Sequence, residues 1–150
     1  MILDIERAIV ERLATALAPL PVQALPARGY RFDHAKGAAV VAAARVAGSA
    51  VRDTAVSIQE AEASFDVTLL SRSLRDGAGA WDLFEAVRIA LLSWRPIPGA
   101  TPLWLLDAQL DGVDADAWIV KSRWATRIPL IPDLQAGSAP LLTRVTLEEI

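Results

Sequence analysis

Apolar residues recur at Ile2, Ile5, Ile9, Leu13, Ala16, Leu17 and Leu20, the i, i+3, i+4, i+7 rhythm of one helical face. Asp4, Glu6, Arg7, Glu11 and Arg12 fall mostly off that stripe, so the pattern predicts an amphipathic first helix. Pro19, Pro21 and Pro26 stop it, because proline has no N–H to donate and clashes with the preceding turn. The segment that follows reads as a connection, extended near Val22 to Leu25. "AAVVAAARVAG", Ala38 to Gly48, is a short apolar run flanked by glycines. Val40, Val41 and Val46 turn it towards a strand, although its alanines also suit a helix. In "ASFDVTLLSRS" the period becomes two: Phe65, Val67 and Leu69 share one side of a strand, and Asp66, Thr68 and Leu70 the other.

A second helix is predicted where Leu83, Phe84, Val87, Ala90, Leu91 and Trp94 form a buried stripe, ended by Pro96, Pro98 and Gly99. Beyond it, "LWLLDAQL" and "AWIVKSRWATRIPL" are β-rich runs joined by "DGVDAD". Asp111-Gly112 marks this as a long hairpin, with Trp118, Val120, Ser122 and Trp124 on one side of the return strand. The order helix, strand, strand, helix, strand, strand contains no βαβ alternation. It predicts an α+β fold, a mostly antiparallel sheet of about four strands with two main helices packed on one face. Residues 1–130 form the expected single domain. Residues 131–150 read as a C-terminal arm whose Leu141, Leu142, Val145, Leu147 and Ile150 need something to lie against.

Composition sharpens this picture. The 150 residues are 53% hydrophobic, more than one core of this size readily hides, and an oligomer would absorb the surplus. No run reaches the ~20 apolar residues of a membrane-spanning helix, and the early charges are wrong for a secretion signal. A cytoplasmic chain is therefore expected. With 15 basic and 18 acidic residues the net charge is −3, which disfavours general binding to nucleic-acid phosphates. Cysteine is absent from the sequence, which removes disulfides, thiolate metal sites and cysteine nucleophiles.

Candidate chemistry is sparse. In "RSLRDGAG", Arg72 and Arg75 offer guanidinium forks, and Gly77 and Gly79 would let backbone N–H groups approach a phosphate at a helix start. The motif lacks the Lys-Ser or Lys-Thr of a P-loop and the third glycine of a dinucleotide fingerprint. A turn whose arginines meet acids, with Asp76, Asp82 and Glu85 as local partners, accounts for it better. His34 is the one histidine and so brings no catalytic or metal geometry. Asp107, Asp111, Asp114 and Asp116 do not fit the spacing of a calcium loop. The serines form no G-x-S-x-G elbow. Trp81, Trp94, Trp104, Trp118 and Trp124 read as core or interface anchors. No catalytic residue, metal site or cofactor is expected.

Three stretches, "MILDIERAIVERL", "AAVVAAARVAGS" and "FDVTLLSRSLRDGAGAWDLFEAVRIALLSW", continued by "LDGVDADAWIVKSRWATRIPL", resemble the tail-terminator, or tail-completion, proteins of Mu-like phages and prophages. These are distantly similar to the terminator protein U of phage lambda. The resemblance covers most of residues 1–130 and implies a virion structural protein. Such a subunit closes into a ring, usually a hexamer, on the head-proximal end of the tail tube. There it stops tube growth and offers a head-tail joining surface. Implied partners are other copies of the chain, the tail tube protein and a neck protein, with DNA passing through unread and no membrane. The implied location is the virion tail, after assembly in the host cytoplasm. Arg72, Arg75, Asp76, Trp81, Trp118, Trp124, Leu141 and Leu142 are the expected subunit-interface residues. Two other readings stand beside this one: a phosphate- or nucleotide-binding module or enzyme built on the Arg72–Gly79 loop, and an adaptor of a contractile secretion apparatus.

Overall fold

The first helix, α1, spans Ile2–Ala16 and carries Ile5, Ile9 and Leu13 into the core with Leu17 just beyond its end. Burying each of these side chains stabilises the fold by roughly 1.5–3 kcal/mol. A computed structural model gives this architecture and describes residues 1–26, 37–49, 59–74, 79–114 and 116–131. Five strands follow the order β1 (Val22–Ala24), β2 (Gly37–Gly48), β3 (Gln59–Ser71), β4 (Trp104–Asp114) and β5 (Ala117–Leu130). The second helix, α2 (Ala80–Leu91), stands between β3 and β4. Asp82 lies in the first turn of α2 and Arg88 in its last, both complementary to the helix dipole.

One sheet contains all five strands in the spatial order β1-β2-β3-β5-β4. Only β1 and β2 pair in parallel; the other three pairings are antiparallel, as the alternation of the sequence predicts. The expected sheet of about four strands gains the short β1, where three residues of the connection pair with Ala39, Val40 and Val41.

Both helices pack on the same face. Their apolar stripes meet Ala39 and Val41 of β2, Phe65, Val67 and Leu69 of β3, and Val120, Trp124 and Ile128 of β5 in one continuous core. In it α1 lies over β1 and β2, and α2 over β3 and β5. The opposite face carries a small second cluster of Ala38, Val40, Leu70 and Ala117, with Ile119 against it. Central β3 is buried along much of its length, and Ser64 and Asp66 are buried beside its apolar residues.

Polar groups inside this core are satisfied locally. The indole N–H of Trp124 donates to Ser122 Oγ at 2.9 Å, and Thr126 Oγ1 donates to the Thr101 carbonyl at 2.6 Å. Thr101 also exchanges backbone-directed bonds with Arg127, which fastens the segment before β4 to β5. At the register shift between Ala43 and Arg45, the amide of Ala43 donates to Glu6 Oε2 at 2.8 Å, tying α1 to β2 where the ladder is interrupted.

The hairpin differs from expectation in one detail. Asp111-Gly112 is not the turn: β4 continues to Asp114, and the register shifts between Leu110 and Gly112. Gly112 has φ +104°, so this glycine makes a bulge inside the strand rather than the corner beyond it.

Candidate assembly surfaces

Of the described side chains expected at a subunit interface, Arg72, Trp81 and Trp118 lie at one end of the sheet, where Ser71 pairs with Trp118 and the Ala80 amide donates to the Ser73 carbonyl, while Trp124 lies in the core. Arg72 is exposed just past the end of β3, and Trp81 lies at the first turn of α2, its ring edge-to-face with Phe84 at 5.7 Å. Trp118 is half-buried at the start of β5 and packs against the main core. Trp124 is fully buried, so it serves the core and takes no part in the surfaces described below. Arg75, Asp76, Leu141 and Leu142 lie outside the described residues, as do His34 and Gly77. Of the local acids, Glu85 pairs with Arg88 at 2.8 Å along the exposed side of α2.

Three surface features emerge instead. The first is an open groove of about 760 Å³ between α1 and α2, on the side away from the sheet. Ala8, Ala16, Ala86 and Ala90 keep its floor shallow. Arg12 lines it as well, donating from Nε to the Ala90 carbonyl at 2.9 Å while its guanidinium lies 4.9 Å from the centre of the Trp94 ring. Ile89, on the groove's wall, is 72% exposed.

The second is the outer edge of β4. Among the described residues this strand is paired with β5 on one side only, and it displays Leu106, Leu110 and Val113 at 44%, 43% and 56% exposure. Leu110 and Val113 pair directly with Val120 and Trp118, so they continue the helix-side face beyond the reach of α2.

The third is an ion cluster on the open face. Asp66 on β3 stands opposite Arg123 on β5, which stands opposite Asp107 on β4. Arg123 holds Asp66 through two bonds, Nε to Oδ1 at 2.8 Å and Nη2 to Oδ2 at 3.2 Å, and Lys121 Nζ lies 3.5 Å from Oδ2. Burial pushes the Asp66 carboxyl up, but the hydrogen bonds and charges of Arg123 and Lys121 together outweigh it and hold the group below the usual carboxylate range. Asp66 in turn pushes the Arg123 guanidinium up, with a smaller contribution from Asp107. The sequence gives no periodic sign of this cluster, because its members are brought together by strand pairing across 57 residues. The alternation that puts Asp66 opposite Phe65 was its one visible trace.

Among the described residues no cluster of three or more His, Asp or Glu side chains is placed to hold a metal ion. Nor is any helix among them long and apolar enough to cross a membrane.

An α+β fold whose β4 edge has no strand partner among the described residues, with apolar side chains left at its surface, defines the class. The chain belongs to the Gp37 protein family, whose model matches residues 9–149. It is also similar to a chain in the solved structure of the virion of a native gene transfer agent particle, with 17% sequence identity and a TM-score of 0.57. That likeness covers 83% of this chain and 94% of the other, so the two share a fold across nearly their whole lengths. No curated protein matches the sequence significantly.

Proposed function

We propose that this protein is a virion structural subunit of a phage-like particle. In the finer reading it is a tail terminator, forming a ring on the head-proximal end of the tail tube. The observation that carries the proposal is the fold shared with a chain of a gene transfer agent virion over most of both chains. Membership of the Gp37 family agrees with it. The surface chemistry supports the same reading, since a β4 edge with no strand partner among the described residues and an apolar groove suit contact with other protein surfaces. In a ring each copy uses two different patches, one for the neighbour on either side. The tail tube protein and a neck protein are the remaining partners, and DNA passes through the lumen without being read.

The test is to add purified protein to tail tubes assembled from tube protein alone and to examine them by electron microscopy and light scattering. A ring at one end of each tube, with tube length fixed on addition, is the expected result. Tubes that keep growing while the protein stays monomeric beside them overturn the proposal.

A further inference from the structure

The ion row Asp66, Arg123, Asp107 crosses three adjacent strands in register, with signs alternating minus, plus, minus. It stops at an acid on the edge strand. Next to Asp107, the outer edge of β4 offers a row of backbone N–H and C=O groups for which no strand among the described residues supplies partners. Such an edge is a template for an added strand, and Leu106 and Leu110 flank Asp107 with exposed apolar surface.

The sequence beyond β5 contains a segment of matching chemistry. In "LLTRVTLE", residues 141–148, Leu141, Thr143, Val145 and Leu147 alternate with Leu142, Arg144, Thr146 and Glu148. The period is two and the β-branched content is high, as a strand requires. Arg144 is the single basic residue after Arg127. Setting Arg144 beside Asp107 in an antiparallel ladder sets Leu141 beside Leu110 and Val145 beside Leu106. One register thus gives the edge acid a cation and both exposed leucines an apolar neighbour. A parallel ladder with the same ion pair keeps Leu147 beside Leu110 but sets the polar Thr143 beside Leu106, and parallel pairing is slightly weaker per residue.

Reach decides whose arm fits the antiparallel register. Leu110 pairs with Val120, and β5 runs from there to Leu130. An arm leaving Leu130 must return about 33 Å along the sheet and cross about 10 Å sideways to bring Leu141 beside Leu110. Eleven links span at most about 36–40 Å when fully stretched. The chain's own arm would use nearly all of that length and still have to reverse direction twice. An arm from a neighbouring copy meets no such constraint.

We infer that residues 141–147 of one copy add as an antiparallel strand to the outer edge of β4 in the next, with Arg144 beside Asp107. The inference rests on the ring reading for its second copy and deepens it by naming the joint.

Absence of cysteine makes the test direct. Asp107→Cys and Arg144→Cys variants are mixed and oxidised, and covalent heterodimers are expected to exceed either homodimer by about tenfold, because docking raises the local thiol concentration. A chain carrying both cysteines is expected to give a ladder of covalent oligomers. A double variant that closes on itself as a monomer, or a mixture that pairs only statistically, overturns the inference. A second measurement guards against loss of the ion pair in those variants. Asp107→Arg and Arg144→Asp should each weaken assembly in light scattering, and the two changes in one chain should restore it. Failure of that restoration counts against the joint. Rings that still form on tail tubes without the specific cross-link sink the joint and leave the ring standing, whereas an absence of rings sinks the ring itself.

Discussion

Asp66 lies on the central strand with its side chain only 11% exposed, held by Arg123 and Lys121. Arg123 remains 43% exposed, so water screens the pair and its contribution is moderated. Asp66→Asn keeps the shape and removes the charge; it should lower unfolding free energy at pH 7 by about 1–2 kcal/mol, between the values for exposed and fully buried pairs. The pH dependence follows from the direction of the shift. A carboxyl whose folded value is depressed adds stability that is complete above its unfolded value, near 3.9, and is lost as pH falls through the folded value. Urea midpoints taken from pH 7 down to pH 3 should therefore converge for wild type and Asp66→Asn below about pH 4. Curves that stay parallel to pH 3 would show that folding does not depress the Asp66 carboxyl. Trp124 tests the other kind of residue. It is fully buried with its indole N–H satisfied, and Trp124→Ala should cost about 3–5 kcal/mol through the cavity left behind, measured by the same midpoints.

At the scale of elements, the helices and the inner strands β3 and β5 were legible because each carries its period over ten or more residues, whereas β2 was marked as a strand by its valines alone, its alanines suiting a helix as well. The stripe through Ile5, Ile9 and Leu13 and the alternation through Phe65, Val67 and Leu69 are the core face itself. β1 is different: three residues hold too little pattern to announce a strand, and its parallel partner β2 is set by the fold. The Asp111-Gly112 pair shows another limit. A glycine after an aspartate signals a positive φ, but a hairpin corner and a bulge make the same demand, and only the register distinguishes them. At Gly112 a Cβ would meet nothing within 4 Å, so any penalty for substitution comes from φ +104° and not from crowding. Gly112→Val should thus lower stability by about 1–3 kcal/mol, the cost of holding a branched residue in that region. Thermal melts read the loss, and an unchanged melting temperature would mean that the bulge relaxes away. The ion row was illegible for a related reason, since period-two patterning assigns a face to Asp66 and no partner.

For the whole molecule, the proposed joint pairs two unlike surfaces, the β4 edge of one copy and the C-terminal segment of the next, and unlike surfaces join head to tail. That geometry makes a prediction that a two-fold dimer does not share. Leu110→Lys places a charge on the edge and leaves the arm intact; Leu141→Lys does the reverse. Neither change touches the main core, because Leu110 is exposed on β4 and Leu141 lies beyond β5. Each variant alone has one dead half in every possible joint and should remain monomeric at concentrations where the wild type associates. Mixed in equal amounts, the Leu110→Lys arm can dock on the Leu141→Lys edge, while the remaining edge and arm of that pair are both dead. Growth must stop at two. Light scattering should therefore report dimers in the mixture, monomers in either variant, and larger assemblies only for the wild type. A mixture that builds beyond the dimer, or a single variant that assembles as well as the wild type, would show that the copies meet through some other pair of surfaces, with the groove between α1 and α2 next in line.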